Sequence, residues 1–214
     1  VGTRCNEALG SDYTIADLER DYDAILLAMG AWGNSSLRCE GEELDGVWKG
    51  TEFLQKRALG ISVDLNGKSV VTVGGGTTAM DAARSALRMG AVESILLYRR
   101  TRNEMPANKV EIHAAEEEGV QYRFLAAPTR LIGDADGKLQ QLEYITMELG
   151  EPDASGRRRP VPKEGSETLM DVDVVISAIG QKPLSDWYSD DLAGRGLELT
   201  RWNTIQTDDQ TLQS

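Results

Sequence analysis

The chain has 214 residues, 40% of them hydrophobic, enough for one large domain or two small ones with an ordinary core. Its 35 acidic and 23 basic side chains leave a formal charge of −12, which opposes a nucleic-acid surface, because such binding relies on clustered Lys and Arg displacing counterions. No apolar run approaches the roughly 20 residues of a membrane span and the first residues lack the basic-then-apolar order of an export signal, so the expectation is a cytoplasmic protein with neither nucleic acid nor membrane as partner.

In chain order, Tyr13 to Asp21 carries Ile15 and Leu18 among charged residues, and Tyr22 to Gly30 is a short apolar run ended by glycine. The run predicts a strand buried on both faces of a parallel sheet. Gly41 to Gly50 is acidic and glycine-rich and reads as a loop, and Thr51 to Leu59 has helical spacing with Gly60 as its stop. Asn66-Gly67-Lys68 is a turn, and Ser69 to Val73 is a β-branched run that ends in three glycines. Thr77 or Thr78 caps a helix from Ala79 to Met89, whose inner face consists of small residues, and Ser94 to Tyr98 is the next strand. Residues 69 to 98 therefore form one βαβ unit, followed by a second helix over 108 to 118.

Beyond Gly119 the pattern changes to extended segments, Tyr122 to Ala127, Thr129 to Ile132 and Leu139 to Leu149, with turn tips at 134–137 and 153–156. They predict an antiparallel meander laid on the parallel sheet. Arg157-Arg158-Arg159, beside the second tip, could bind an anion, but a solvated basic cluster is the ordinary reading at a hairpin end. Asp173 to Gly180 is another apolar run ended by glycine and echoes residues 23 to 30. The expected fold is α/β: a Rossmann-like three-layer nucleotide-binding domain with a parallel sheet, flanking helices and the meander.

The chemistry centres on Gly74-Gly75-Gly76-Thr77-Thr78-Ala79. A strand delivering G-x-G-x-x-A into a helix lets the backbone turn sharply, admits a pyrophosphate and packs the helix close to the strand, while the helix N-terminus supplies N–H groups and a positive dipole end. At the tip of the second strand, where NAD-binding folds place an acid, this chain has Tyr98-Arg99-Arg100-Thr101-Arg102. Guanidinium groups match a 2′-phosphate, so Arg99 and Arg100 point to NADPH. Thr77 and Thr78 offer hydrogen bonds, and Glu111 is a further candidate near the adenosine end. Cys5 and Cys39 form no CxxC pair and His113 is the only histidine, so no metal site and no catalytic acid or base is expected.

Three segments together resemble a known family: Val73 to Asp81, Tyr98 to Ala107, and Ser177-Ala178-Ile179-Gly180-Gln181-Lys182-Pro183. They are similar to the NADPH-dependent glutamate synthase small (beta) subunit and related FAD-dependent pyridine nucleotide oxidoreductases, including the amino-terminal portion of dihydropyrimidine dehydrogenase. The family usually has asparagine where Thr77 stands. The resemblance implies that an NADPH domain is inserted into an FAD domain of the same chain, crossed at Ala28-Met29-Gly30 and Ala178-Ile179-Gly180, with Gly180 at the cofactor. Residues 1–30 would then be a remnant of the first crossing, 31–176 the NADPH-binding domain and 177–214 an incomplete return. It also implies hydride transfer from NADPH to FAD in the full-length protein, a fragment inactive by itself because its FAD motifs are missing, and a partner that is an iron–sulfur electron-transfer or glutamate synthase large-type subunit. The alternatives are another iron–sulfur flavoprotein and a non-catalytic nucleotide-binding module.

Overall fold

The computed structural model describes residues 2–184, 194, 197–211 and 213. The part of the expected return crossing that covers 185–193, 195–196, 212 and 214 lies outside the described residues. The chain divides into two compact units, one of residues 34–180 and one of residues 1–33 with 181–214.

The unit 34–180 is built around a five-stranded parallel sheet of β2 (Val47–Lys49), β10 (Val174–Ser177), β3 (Ser69–Val73), β4 (Glu93–Tyr98) and β5 (Gln121–Phe124), in that spatial order. Val, Ile and Leu fill both faces of β3, β4 and β10, as strands covered on both sides require. Helices α2 (Gly50–Ala58), α3 (Thr77–Arg88) and α4 (Lys109–Glu117) cover one face. Phe53, Leu65, Val70, Ala82, Ala86 and Ile176 form one packed cluster there, and Met80, Leu96, Tyr98 and Ile112 another. Ala79, Ala82, Ala83 and Ala86 of α3 are all fully buried, and their small side chains let the helix lie close to the sheet.

The opposite face carries the expected meander: β6 (Ala126–Gly133), β7 (Leu139–Pro152), β8 (Arg158–Pro162) and β9 (Thr168–Asp171), all antiparallel to their partners. Val71, Val73, Ile95, Leu97 and Val175 of the parallel sheet pack there against Leu131, Leu139, Leu142 and Tyr144. The fold is thus helices, parallel sheet, antiparallel sheet, three layers in all.

The smaller unit holds α1 (Ile15–Asp21), whose Thr14 and Asp17 form a capping box, together with β1 (Gly33–Asn34), at the join of the two units, and β11 (Gln181–Lys182), which pair in a two-stranded sheet. Ile15 packs with Leu9, Leu27, Met29, Leu197, Leu199 and Ile205. Among the described residues no helix is long and apolar enough to cross a membrane.

Three expectations are corrected. Residues 23–30 form no strand: no described strand runs beside them to complete a ladder, Leu26 is 89% exposed, and only Leu27 and Met29 of that run pack inward. The segment 122–127 is split, because Leu125 takes a left-handed conformation (φ 54°) and turns the chain out of the parallel sheet. Its first part, β5, pairs in parallel with β4, while its second opens the meander. The supposed loop 41–50 contains β2, only three residues long, which is the outer neighbour of β10.

Candidate functional site

The chain leaves β3 at Val73 and enters α3 at Thr77, so the glycine turn lies at the C-terminal edge of the parallel sheet, where ligands bind in this architecture. Each glycine meets a different surrounding. Gly74 has φ +147°, and a Cβ there would stand 2.3 Å from the carbonyl oxygen of Ala178, just past the end of the neighbouring β10. A Cβ on Gly75 would stand 2.6 Å from Cε2 of Tyr98. At Gly76 the nearest atom would be Cγ of Pro106 at 3.9 Å, so this position alone of the three opens outward.

Gly76 is the N-cap of α3, in extended conformation, with no side chain capping the helix. Its carbonyl accepts from Ala79 and Met80 N–H, whereas the N–H groups of Gly75, Gly76, Thr77 and Thr78 have no acceptor among the described residues. These four acceptor-less donors lie at and just before the positive end of a 12-residue helix, a cradle suited to an anion. The cradle is braced from behind: Gly74 N–H donates to Leu97 O, Ala178 N–H to Val73 O, and Ala107 N–H to Gly75 O. Ala79 is fully buried beneath the turn.

Glu111 sits beside this turn. Its Oε2 accepts from the Thr77 hydroxyl at 3.0 Å and from the Asn108 N–H at 3.4 Å, completing a capping box at the start of α4. Thr78 makes no side-chain hydrogen bond among the described residues, and its methyl group lies 3.2 Å from where a Gly50 Cβ would be. Gly180 has φ +139°, and its carbonyl accepts from Ser35 N–H at 3.1 Å.

The two candidate arginines part company. Arg99 is exposed and has no hydrogen bond or ion pair among the described residues. Arg100 turns inward, with its side chain 6% exposed; Nη2 binds Asp153 Oδ2 at 2.8 Å and Nε binds the Arg158 carbonyl at 2.7 Å. The expectation that both guanidinium groups face a phosphate therefore needs correcting: the Arg100 guanidinium is buried, with Nε and Nη2 turned to the β7–β8 hairpin. Following them, Thr101 and Glu104 close a capping box over the short 3-10 turn Arg102–Glu104, and Arg102 is paired with Glu116 of α4. Sequence reasoning missed Asp153, which lies 53 residues from its partner and carries no local sign of the pairing.

His113 is on the outer side of α4, 69% exposed and within reach of Glu117. Among the described residues no group of three or more His, Cys, Asp or Glu is placed to hold a metal. Burial, with Glu42 adding to it, pushes the Cys39 thiol up to about 11.

The profile of the pyridine nucleotide-disulphide oxidoreductases matches residues 10–213. The chain belongs to this family. The oxidoreductase relatives include the NADPH-Fe(3+) oxidoreductase subunit beta of Geobacter sulfurreducens, 46% identical over 202 residues, covering 93% of this chain and 30% of the relative. They also include the glutamate synthase [NADPH] small chain of Escherichia coli, 37% identical over 92% of this chain and 43% of the relative. The chain thus spans less than half the length of these relatives. Among solved structures, Mycobacterium tuberculosis FprA in complex with NADPH shares the fold with a TM-score of 0.71 at 18% identity, covering 97% of this chain and 57% of that one. The likeness to glutamate synthase small chains expected from the glycine turn and the Tyr98–Ala107 segment is thereby confirmed at the level of the family.

Proposed function

We propose that residues 34–180 bind NADPH and present it for oxidation in the intact protein. The observation that carries this reading is the run of four acceptor-less N–H groups over Gly75–Thr78, open beside Gly76, with Arg99 exposed just past the end of the adjoining strand. The pyrophosphate would rest on the cradle, Glu111 would hold the Thr77 hydroxyl beside it at the start of α3, and Arg99 would pair with the 2′-phosphate. Gly180, at the return from this unit, would border the cofactor. Bound flavin would supply the hydride-accepting chemistry, so the residues of this chain bind and orient the reductant. The Geobacter and E. coli relatives differ in their named activities and share NADPH in their names, which supports placing the common task at the NADPH end.

Those relatives are a subunit beta and a small chain by name, and this reading extends to a partner subunit that takes the electrons onward. A cytoplasmic location belongs to the same proposal and is supported by the two free thiols, Cys5 and Cys39. The test is calorimetric titration of the protein with NADPH and NADH. NADPH should bind more tightly, and Arg99→Ala should lower its affinity about tenfold or more while leaving NADH nearly unchanged. Equal affinity for the two cofactors in the unaltered protein would remove the Arg99 assignment.

A further inference from the structure

The second sheet has a feature that packing alone does not call for. Its longest strand, β7, runs 14 residues and turns at Asp153–Arg157 into β8, and this hairpin reaches the end of β4. There it meets Arg100. The guanidinium binds the Asp153 carboxylate and the Arg158 carbonyl, and the Arg100 carbonyl accepts from Leu125 N–H at 3.1 Å, so the tip of β4 is held to the hairpin and to the β5–β6 corner at once. An ion pair this buried adds little net stability over apolar packing, but it fixes which parts lie side by side.

The hairpin so held is basic and internally braced. Asp153 Oδ1 accepts from the N–H of Ser155 and Arg157, and Arg158 donates to the carbonyls of Gly150 and Leu149. Among the described residues the Arg157 guanidinium bonds only the Ser155 hydroxyl, and the Arg159 side chain is exposed with no hydrogen bond or ion pair. Glu104, just beyond the β4 tip, is held below the usual carboxylate range first by Thr101, with the Arg158 charge adding to it.

We propose that the β7–β8 hairpin forms the second half of the site for the 2′-phosphate: Arg100 and Asp153 are positioning residues that clamp the hairpin to the tip of β4, so that the exposed side chains of Arg157 and Arg159 are held near the end of the strand that carries Arg99. The inference rests on the NADPH reading above and deepens it. Cofactor choice is then set by two chain segments about 60 residues apart rather than by one strand tip.

The experiment is titration of the protein, unaltered and as Arg159→Glu, Asp153→Asn and Arg99→Ala variants, with NADPH, NADH, adenosine 2′,5′-bisphosphate and adenosine 5′-monophosphate. Arg159→Glu should weaken NADPH and the bisphosphate about tenfold and leave NADH and the monophosphate within about twofold. Asp153→Asn should act in the same direction, and Asp153→Glu should restore part of the loss, which a merely structural role would not do selectively for ligands bearing the 2′-phosphate. Arg159 is exposed, so that variant carries the test if loosening the clamp disturbs folding. Hairpin variants that leave all four affinities unchanged, or lower them equally, would overturn the proposal. If that happens while Arg99→Ala still abolishes the NADPH preference, the hairpin role falls and the cofactor reading stands; an unaltered protein without that preference ends both.

Discussion

A methyl group added at Gly75 would put a carbon 2.6 Å from the ring of Tyr98, whereas the same group at Gly76 would meet nothing closer than 3.9 Å. The two substitutions should therefore separate folding from binding. Gly75→Ala forces the turn or Tyr98 to shift and should lower stability by about 1–3 kcal/mol in chemical denaturation. Gly76→Ala should leave the denaturation midpoint nearly unchanged and weaken NADPH binding, because its Cβ projects where the pyrophosphate would approach. An unchanged NADPH affinity in Gly76→Ala would move the phosphate off this turn. A third residue-level consequence concerns the thiols: with Cys39 raised to about 11 and Cys5 exposed, alkylation at neutral pH followed by mass spectrometry should label Cys5 first. At this scale the glycine turn between strand and helix was legible because its meaning is local, set by neighbours in the chain. The inward turn of Arg100 was not, since adjacent arginines look alike until a carboxylate 53 residues away selects one of them.

Among the elements, α3 and α4 are stapled by one carboxylate. Glu118, the C-cap of α4, accepts from Arg84 Nη2 at 2.5 Å and from Arg88 Nη2 at 2.5 Å, both on α3. The Arg88 and Arg84 hydrogen bonds hold its pKa at about 2, against 4.5 for an ordinary glutamate. Because the folded value is depressed, the stabilisation is fully present above about pH 4.5 and is lost as pH falls toward 2. The groups are partly exposed, so Glu118→Gln should cost no more than about 1 kcal/mol at neutral pH. It should also flatten the acid limb of a stability–pH curve measured by urea denaturation; an unaltered acid limb would show that other carboxylates govern it. The helices and long β-branched strands were readable because their periodicity is dense. β2 was not, because three residues between Gly46 and Gly50 carry no pattern, and the run at 23–30 misled because buried-strand composition describes a ladder only when neighbouring strands are there to supply it.

On the scale of the whole molecule, the three-layer order followed from the sequence in outline: a βαβ unit, a helix, a meander and a returning apolar strand. What the sequence did not reveal was where that last strand goes. β10 inserts between β2 and β3, and Ser69 N–H donates to the Asp173 carboxylate across 104 residues. The strand at the middle of one side of the sheet is thus among the latest to be made. As the chain emerges during synthesis, β2 and β3 have no direct partner in each other, and the cradle lacks the Ala178 carbonyl against which Gly74 is fitted. Closure of the sheet over so long a sequence separation is slow, because the intervening loop must be ordered first. A nascent chain halted before residue 174 should consequently show the protease sensitivity of an unfinished domain and no retention on an immobilised adenosine 2′,5′-bisphosphate resin, with both properties reversing together once β10 clears the ribosome. The ability to hold the cofactor would then arrive in a single late step, as a signal that translation of this unit is complete.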